Sequence, residues 1–137
     1  ISACLVGSEM CIRDRNYSVS IETSNAYDIS AIDSRVSVIL DVKTPASLES
    51  DKNLISNYKK LKPIDEIKFV ICNLDDFNWA RDYISLHNLD ILCPILFSPS
   101  YDDMPISELA ELILKYSVNV RLQAQLHKTI WGPVNGK

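Results

Sequence analysis

The stretch from Ile67 to Phe97 reads IKFVICNLDDFNWARDYISLHNLDILCPILF. It opens with a β-branched, apolar run over Ile67–Cys72 and closes with another over Ile91–Phe97. Runs of this length and composition are typical of buried strands. Between them, apolar side chains recur at helical spacing from Phe77 to Ile84. A strand, a helix and a strand in this order predict a right-handed βαβ unit within a parallel sheet.

The alternation of predicted strands and helices continues on both sides of this stretch. Three more short, apolar or alternating segments predict strands: Tyr17–Ile21, Val36–Leu40 and Val118–Leu122. Two more helices are predicted, Leu54–Leu61 behind a candidate N-cap at Ser50 and Ile106–Tyr116 behind Pro105. The sequence therefore predicts an α/β fold in which a parallel sheet alternates with helices.

Size and charge narrow the class of protein. The 137 residues, 47% hydrophobic and 23% charged, suit one globular domain. The chain's 14 Lys and Arg against 18 Asp and Glu give a net charge of −4, which disfavours nucleic acid as a partner. No apolar run approaches the roughly 20 residues that span a bilayer, and no secretory signal is recognisable. We therefore expect a cytoplasmic protein with neither a membrane nor a nucleic-acid partner.

The first 15 residues, ISACLVGSEMCIRDR, do not follow the strand–helix rhythm. We interpret residues 1–15 as an unrelated or artefactual leader and residues 16–137 as the domain, with a genuine first strand over Ile1–Val6 as the alternative. Four cysteines occur along the chain: Cys4, Cys11, Cys72 and Cys93. Their spacing matches neither a zinc site nor an iron–sulfur motif. The last two fall in apolar stretches and are predicted to be buried structural thiols.

Polar residues follow several predicted strands, and ligands of parallel α/β folds bind at the carboxyl ends of strands. Glu22–Ser24 follow the first strand, and Asp41 and Lys43 follow the second, so we expect them at the same edge of the sheet. Lys43 suits an anionic ligand group and Asp41 a hydroxyl or an amine, while an ion pair between the two is an equally good interpretation. Glu22–Ser24 can also merely end a strand.

Other polar residues near strand ends have structural explanations. Asp75 and Asp76 stand where a helix begins, which favours compensation of the helix dipole. Gln123 and His127 lie around the end of the fifth strand. His127 is an acid–base candidate, but no cysteine or serine nucleophile is placed to partner it. A structural, hydrogen-bonding role is therefore favoured for this histidine.

Four segments carry a family resemblance: Ser18–Ser24, Leu40–Pro45, Leu96–Pro99 and Val120–Lys128. They read SVSIETS, LDVKTP, LFSP and VRLQAQLHK. Their order and spacing resemble the C-terminal half of 7-carboxy-7-deazaguanine synthase, a radical S-adenosylmethionine (radical SAM) enzyme. The resemblance runs from about Tyr17 to Pro133.

The resemblance implies an incomplete TIM-like (βα)6 barrel that holds a 4Fe–4S cluster and S-adenosylmethionine. It implies a 5′-deoxyadenosyl radical that abstracts hydrogen from 6-carboxy-5,6,7,8-tetrahydropterin. Ring contraction with loss of ammonia, a carbon–nitrogen lyase reaction, then gives 7-carboxy-7-deazaguanine for queuosine biosynthesis and tRNA modification. Mg²⁺ assists, and the enzymes of the family are usually cytoplasmic homodimers.

The resemblance also implies which residues bind the cofactor. Asp41, Val42 and Lys43 match a strand-end tripeptide that contacts S-adenosylmethionine. Eight residues in all are assigned to cofactor binding on this basis: Glu22, Thr23, Ser24, Asp41, Val42, Lys43, Phe97 and Ser98. The resemblance assigns no catalytic or metal-binding residue in this chain, and the residues that bind the substrate stay unknown.

The sequence also departs from the family pattern. The printed residues contain no CxxxCxxC motif, no glycine-rich GGEP-type segment and no counterpart of the magnesium-contacting residue. We therefore expect the chain alone to be inactive. Asn25 stands where the family usually has glycine, and asparagine is the residue that best tolerates a positive φ after glycine. The alternatives are another radical SAM half-barrel and a non-catalytic, flavodoxin-like α/β binding module.

Overall fold

The computed structural model describes residues 17–132, which form a five-stranded parallel sheet with helices. The strands are β1 (Ser20–Ser24), β2 (Ser37–Val42), β3 (Glu66–Ile71), β4 (Ile95–Pro99) and β5 (Arg121–Leu122). The α-helices are α1 (Leu74–His87), α2 (Ile106–Tyr116) and α3 (Leu126–Trp131). Every neighbouring pair of strands is parallel, so the predicted fold class is confirmed. The predicted leader, residues 1–15, lies outside the described residues.

The strands follow one another across the sheet in chain order, from β1 to β5. Right-handed crossovers that always advance in one direction all pass over the same side of a sheet. A flavodoxin-like sheet instead reverses its direction once. Across residues 17–132 the strand order does not reverse, so the flavodoxin-like alternative is wrong. The sequential order is that of strands in a parallel α/β barrel.

The hydrophobic core lies between one face of the sheet and the helices. Leu40 and Phe69 project from the strands, and Phe77 and Leu109 project from α1 and α2; none of the four is exposed to solvent. Phe97 packs edge-to-face on Phe69 and on Phe77, with ring centroids 5.8 Å apart in each pair. This geometry adds about 0.5–1.5 kcal/mol per aromatic pair to the burial of the rings.

Three predicted strands start several residues later in the structure than predicted. The fifth, predicted at Val118–Leu122, spans only Arg121–Leu122. The first was predicted at Tyr17–Ile21 but spans Ser20–Ser24, because Ser20 to Ser24 pair in register with the five residues that start at Ser37 of β2. The fourth was predicted at Ile91–Phe97 but starts at Ile95, because Leu89–Ile91 form a 3₁₀ turn. The polar residues predicted to follow β1 therefore lie within it.

The predicted α-helix over Leu54–Leu61 is wrong. Two 3₁₀ segments, Ser50–Lys52 and Ile55–Lys60, occupy this part of the chain, and Ser50 does not cap a helix. The break comes at Leu54, whose backbone is extended and whose N–H donates to the carbonyl of Asn25 at 2.9 Å. A bond to the end of β1 thus overrides the helical periodicity.

Asp76 ties three segments together at the carboxyl end of β3. Its carboxylate accepts from the backbone N–H of Ala46 at 3.0 Å and of Cys72 at 3.1 Å. Its own N–H donates to the side chain of Asn73, which caps α1. Asp76 is 1% exposed, so it holds the loop after β2 against the start of α1. The sequence predicted only an interaction with the helix dipole.

Replacing Asp76 by alanine is expected to lower the free energy of unfolding by about 3 kcal/mol, because its two charge-assisted hydrogen bonds to the backbone of Ala46 and Cys72 are lost. Urea denaturation measures the change. Asp75→Ala is the matched control, since Asp75 is exposed and can lose only about 0.3–1 kcal/mol of dipole interaction. Equal losses in the two variants would contradict the role assigned to Asp76.

Candidate functional site

The alternation of side chains along the strands divides the eight predicted cofactor-binding residues between the two faces of the sheet. Thr23, Val42 and Phe97 project toward the helices and are buried. Phe97 lies between Phe69 and Phe77 in the core. Any contact of Thr23, Val42 or Phe97 with a cofactor therefore has to come from the backbone, and their role in binding stays a prediction.

The other five predicted residues lie on the opposite face, which we call the polar face: Glu22, Ser24, Asp41, Lys43 and Ser98. The strand register aligns Ser24 with Asp41 and Asp41 with Lys68, so these three side chains form one row across the sheet. The register places Asp41 near the carboxyl end of β2, just before Lys43, whereas Glu22 pairs with Ile39 in the middle of that strand. The expectation that Glu22 shares the edge of Asp41 and Lys43 is therefore not confirmed. Residues of the polar face are absent from the core cluster of buried hydrophobic residues.

Ion pairs run along the polar face. Lys43 donates to Asp41 Oδ2 at 2.6 Å, and the two side chains are 28% and 13% exposed. Lys68 donates to Glu22 at 2.8 Å across the intervening strand β2. The ion pair that the sequence left open for Asp41 and Lys43 is therefore present. It leaves the second carboxylate oxygen of Asp41 available.

Three buried polar atoms on this face have no hydrogen-bond partner within the described part of the chain: Asp41 Oδ1, Ser98 Oγ and Gln123 Oε1. Gln123 directly follows β5, and its N–H donates to the carbonyl of Phe97 at 2.8 Å, which places it beside Ser98. Buried polar atoms almost always have a partner, either protein or ordered water, so these unpaired atoms make this edge of the sheet a candidate site for a polar ligand. The sequence placed Gln123 near the end of the fifth strand, and the register of β4 and β5 brings it beside Ser98.

Asn25 does not have the role that the sequence predicted. Its backbone is not among those with a positive φ. The side chain is fully buried, donates to the hydroxyl of Tyr58 at 2.9 Å and accepts from Asn57 at 3.0 Å. Burial raises the pKa of Tyr58 well above its usual value, so the hydroxyl stays protonated. Asn25 therefore anchors the loop after β1 by its side chain.

The cysteines do not fit an iron–sulfur cluster. Cys72 follows the carboxyl end of β3, whereas Cys93 precedes the amino end of β4, so the two thiols stand at opposite edges of the sheet. Burial raises the pKa of Cys93 to about 12, and it also raises the pKa of Cys72. Among residues 17–132, no group of three His, Cys, Asp or Glu side chains is arranged to hold a metal ion. His127 lies in α3, and its side chain is outside the described part of the structure.

The structure is a parallel α/β unit with strands in barrel order and unpaired polar atoms at the carboxyl edge of its strands. Comparison with known proteins identifies relatives that share one name, 7-carboxy-7-deazaguanine synthase. The chain is 35% identical to the synthase of Chlorobaculum tepidum over 129 residues, which is 92% of this chain and 58% of the relative. It is 35% identical to the Koribacter versatilis synthase over 130 residues and 39% identical to the Leptospira interrogans synthase over 122 residues, each match covering 85% of this chain.

The chain is thus a relative of 7-carboxy-7-deazaguanine synthases, and the resemblance predicted from the sequence is confirmed. It spans about half the length of the curated relatives that it matches, from 50% to 58% in these three. No family model matches the chain. Among the helices of residues 17–132, none is long and apolar enough to cross a membrane.

Proposed function

We propose that this chain forms the S-adenosylmethionine-binding half of a 7-carboxy-7-deazaguanine synthase of the radical SAM type. The observation that carries the proposal is the set of unpaired, buried polar atoms of Asp41, Ser98 and Gln123 on the polar face. Relatives named for this synthase give the proposal its reaction. The half-length match supports a second half elsewhere in the working enzyme.

The chemistry of these side chains fits S-adenosylmethionine. The cofactor offers ammonium, hydroxyl and amino donors, and Asp41 Oδ1 and Gln123 Oε1 are acceptors that need donors. Ser98 Oγ can donate or accept. The Lys43 ammonium, already held by Asp41, suits the methionyl carboxylate of the cofactor. Binding would thus satisfy the buried atoms and orient the cofactor along the edge of the sheet.

When bound, S-adenosylmethionine supplies the carbon radical that begins the reaction. The residues of this chain would bind and orient it. The described residues offer no cluster site, so we assign the thiolates of the 4Fe–4S cluster to the other half of the enzyme. The proposal extends to a 6-carboxytetrahydropterin substrate, Mg²⁺, carbon–nitrogen lyase chemistry for queuosine, a homodimer and a cytoplasmic location, each supported only by the relationship to the synthases.

Replacing Lys43 by alanine is expected to weaken S-adenosylmethionine binding about tenfold to 150-fold, which corresponds to one charge-assisted contact of about 1.5–3 kcal/mol. The measurement is calorimetric titration of the joined protein, defined as this chain preceded by a half-barrel that carries the CxxxCxxC motif. Lys43→Met keeps most of the aliphatic stem and should lose the same affinity. Lys59→Ala removes an exposed lysine and serves as the control. An unchanged affinity in both Lys43 variants would remove Lys43 from the site.

A further inference from the structure

The ladder between β1 and β2 ends before it reaches Lys43. Its last pair joins Ser24 to Asp41, and the last backbone bond runs from Asn25 N–H to the carbonyl of Asp41 at 2.9 Å. The chain turns away after Asn25. The peptide groups of Lys43 therefore have no strand residue of β1 opposite them.

The side chain of Asn53 takes the place of the missing strand. Its Oδ1 accepts from the N–H of Lys43 at 3.0 Å, and its Nδ2 donates to the carbonyl of Lys43 at 2.9 Å. A carboxamide has the same donor and acceptor as a peptide group. Asn53 thus continues the hydrogen bonding of the sheet by one residue, at the edge where the polar ligand site lies.

Asn53 is itself held in position from two sides. Its Nδ2 also donates to the carbonyl of Ser50 at 2.9 Å, within the 3₁₀ segment that precedes it. Its Oδ1 lies 3.5 Å from the side-chain amide of Asn25, and the next residue, Leu54, donates its N–H to the carbonyl of Asn25. The carboxamide therefore has little freedom to turn away from Lys43.

We propose that Asn53 is a positioning residue for the S-adenosylmethionine site. It fixes the backbone of Lys43 and so sets the direction in which the Lys43 ammonium meets an anionic group of the ligand. This inference rests on the function proposed above, because it assigns Asn53 a part in the same site. The lysine side chain is a flexible four-carbon stem, so the position of its ammonium depends on how well the backbone of Lys43 is anchored. Binding sites tolerate displacements of only about 0.5 Å.

Amide hydrogen exchange of the 137-residue chain tests the contact directly. The N–H of Lys43 should be protected, and Asn53→Ala should speed its exchange at least about tenfold, since its only described acceptor is removed. Asn53→Asp keeps the shape and the acceptor but loses the donor that meets the Lys43 carbonyl. The amide of Val38, which donates to Asp65 at 2.9 Å, is the internal control and should not change.

Ligand binding tests the consequence. In the joined protein, Asn53→Ala and Asn53→Asp should each raise the KM for S-adenosylmethionine about tenfold and change kcat less than about threefold. Asn119→Asp makes the same chemical change at an exposed residue near the amino end of β5 and should leave both constants unchanged. If Asn53 merely fills space, the isosteric Asn53→Asp variant will keep the normal KM that Asn53→Ala loses, and the inference fails.

The two proposals fail in different ways. Normal KM values in both Asn53 variants, together with a loss of affinity in Lys43→Ala, would overturn the positioning role and leave the proposed function standing. Normal affinity in the Lys43 variants as well would overturn the proposed function. If Asn53→Ala does not fold, the KM of Asn53→Asp decides the matter.

Discussion

Phe97→Ala is expected to lower the free energy of unfolding by about 3–5 kcal/mol, as is usual when a buried aromatic ring is removed from a core. Phe97 is fully buried and packs on both Phe69 and Phe77, so the ring joins strand β4 to β3 and to α1. A domain of this size has roughly 5–15 kcal/mol to lose. The variant should therefore unfold at much lower urea concentration, followed by circular dichroism.

The neighbouring residue provides the control. Ser98 follows Phe97 but projects to the polar face, where its hydroxyl is buried without a partner among the described residues. Ser98→Ala removes an unsatisfied polar atom and should change stability by less than about 1 kcal/mol. A large loss in Ser98→Ala, or a small one in Phe97→Ala, would mean that the two residues have been assigned to the wrong faces of the sheet.

The sequence predicted the parallel α/β fold because its strands and two longest helices carry strong local patterns. Helix α1 shows this best, since an apolar stripe from Phe77 to Ile84 follows two acidic residues, Asp75 and Asp76, at the start of the helix. The segment that follows Ser50 shows where local sequence patterns fail to predict the structure. Its apolar residues recur at helical spacing, but the backbone of Leu54 is extended, because its N–H donates to the carbonyl of Asn25, which is distant in sequence. A hydrogen bond between distant segments cannot be predicted from a local pattern.

The candidate site was predicted only in part, because local patterns locate the ends of strands but not the contacts between distant segments. The strand-end rule found the edge at which Asp41 and Lys43 lie, and the family resemblance added Phe97 and Ser98. Neither could separate Phe97 from Ser98, because the face on which a residue lies changes with every shift of one residue in register. Gln123 stood among the polar residues near the end of the fifth strand, but only the pairing of β5 with β4 places it beside Ser98. Asn53 reaches the site through contacts between distant segments and stands in no pattern that marks it as a site residue.

The strand order explains why a polar face exists at all. Sequential right-handed crossovers place the helices on one side, and the other side of the sheet carries charged residues such as Glu22 and Lys68 in mutual contact. In a closed barrel that side faces the interior, where ligands bind at the carboxyl edge. One part of such a barrel presents only part of its interior, and the chain matches 58% of the length of the Chlorobaculum tepidum synthase.

The strongest expected effect concerns the cluster. Reconstituted with iron and sulfide, the 137-residue chain should show no 4Fe–4S absorbance and should not cleave S-adenosylmethionine. A cluster with one open iron site needs three thiolates, and Cys72 and Cys93 lie at opposite edges of the sheet with raised pKa values. Cys4 and Cys11 are separated by six residues, which is not the CxxxCxxC spacing.

The joined protein should form the cluster and cleave the cofactor. It should do so equally well when it carries Cys72→Ala and Cys93→Ala together, because neither thiol is expected to be a ligand. The double variant is the matched control, since it removes both cysteines of the described residues without touching the CxxxCxxC half. Absorbance of a 4Fe–4S cluster in the chain alone would contradict the assignment of the cluster thiolates to the other half of the enzyme. Loss of the cluster in the double variant would show that this half contributes a thiolate after all.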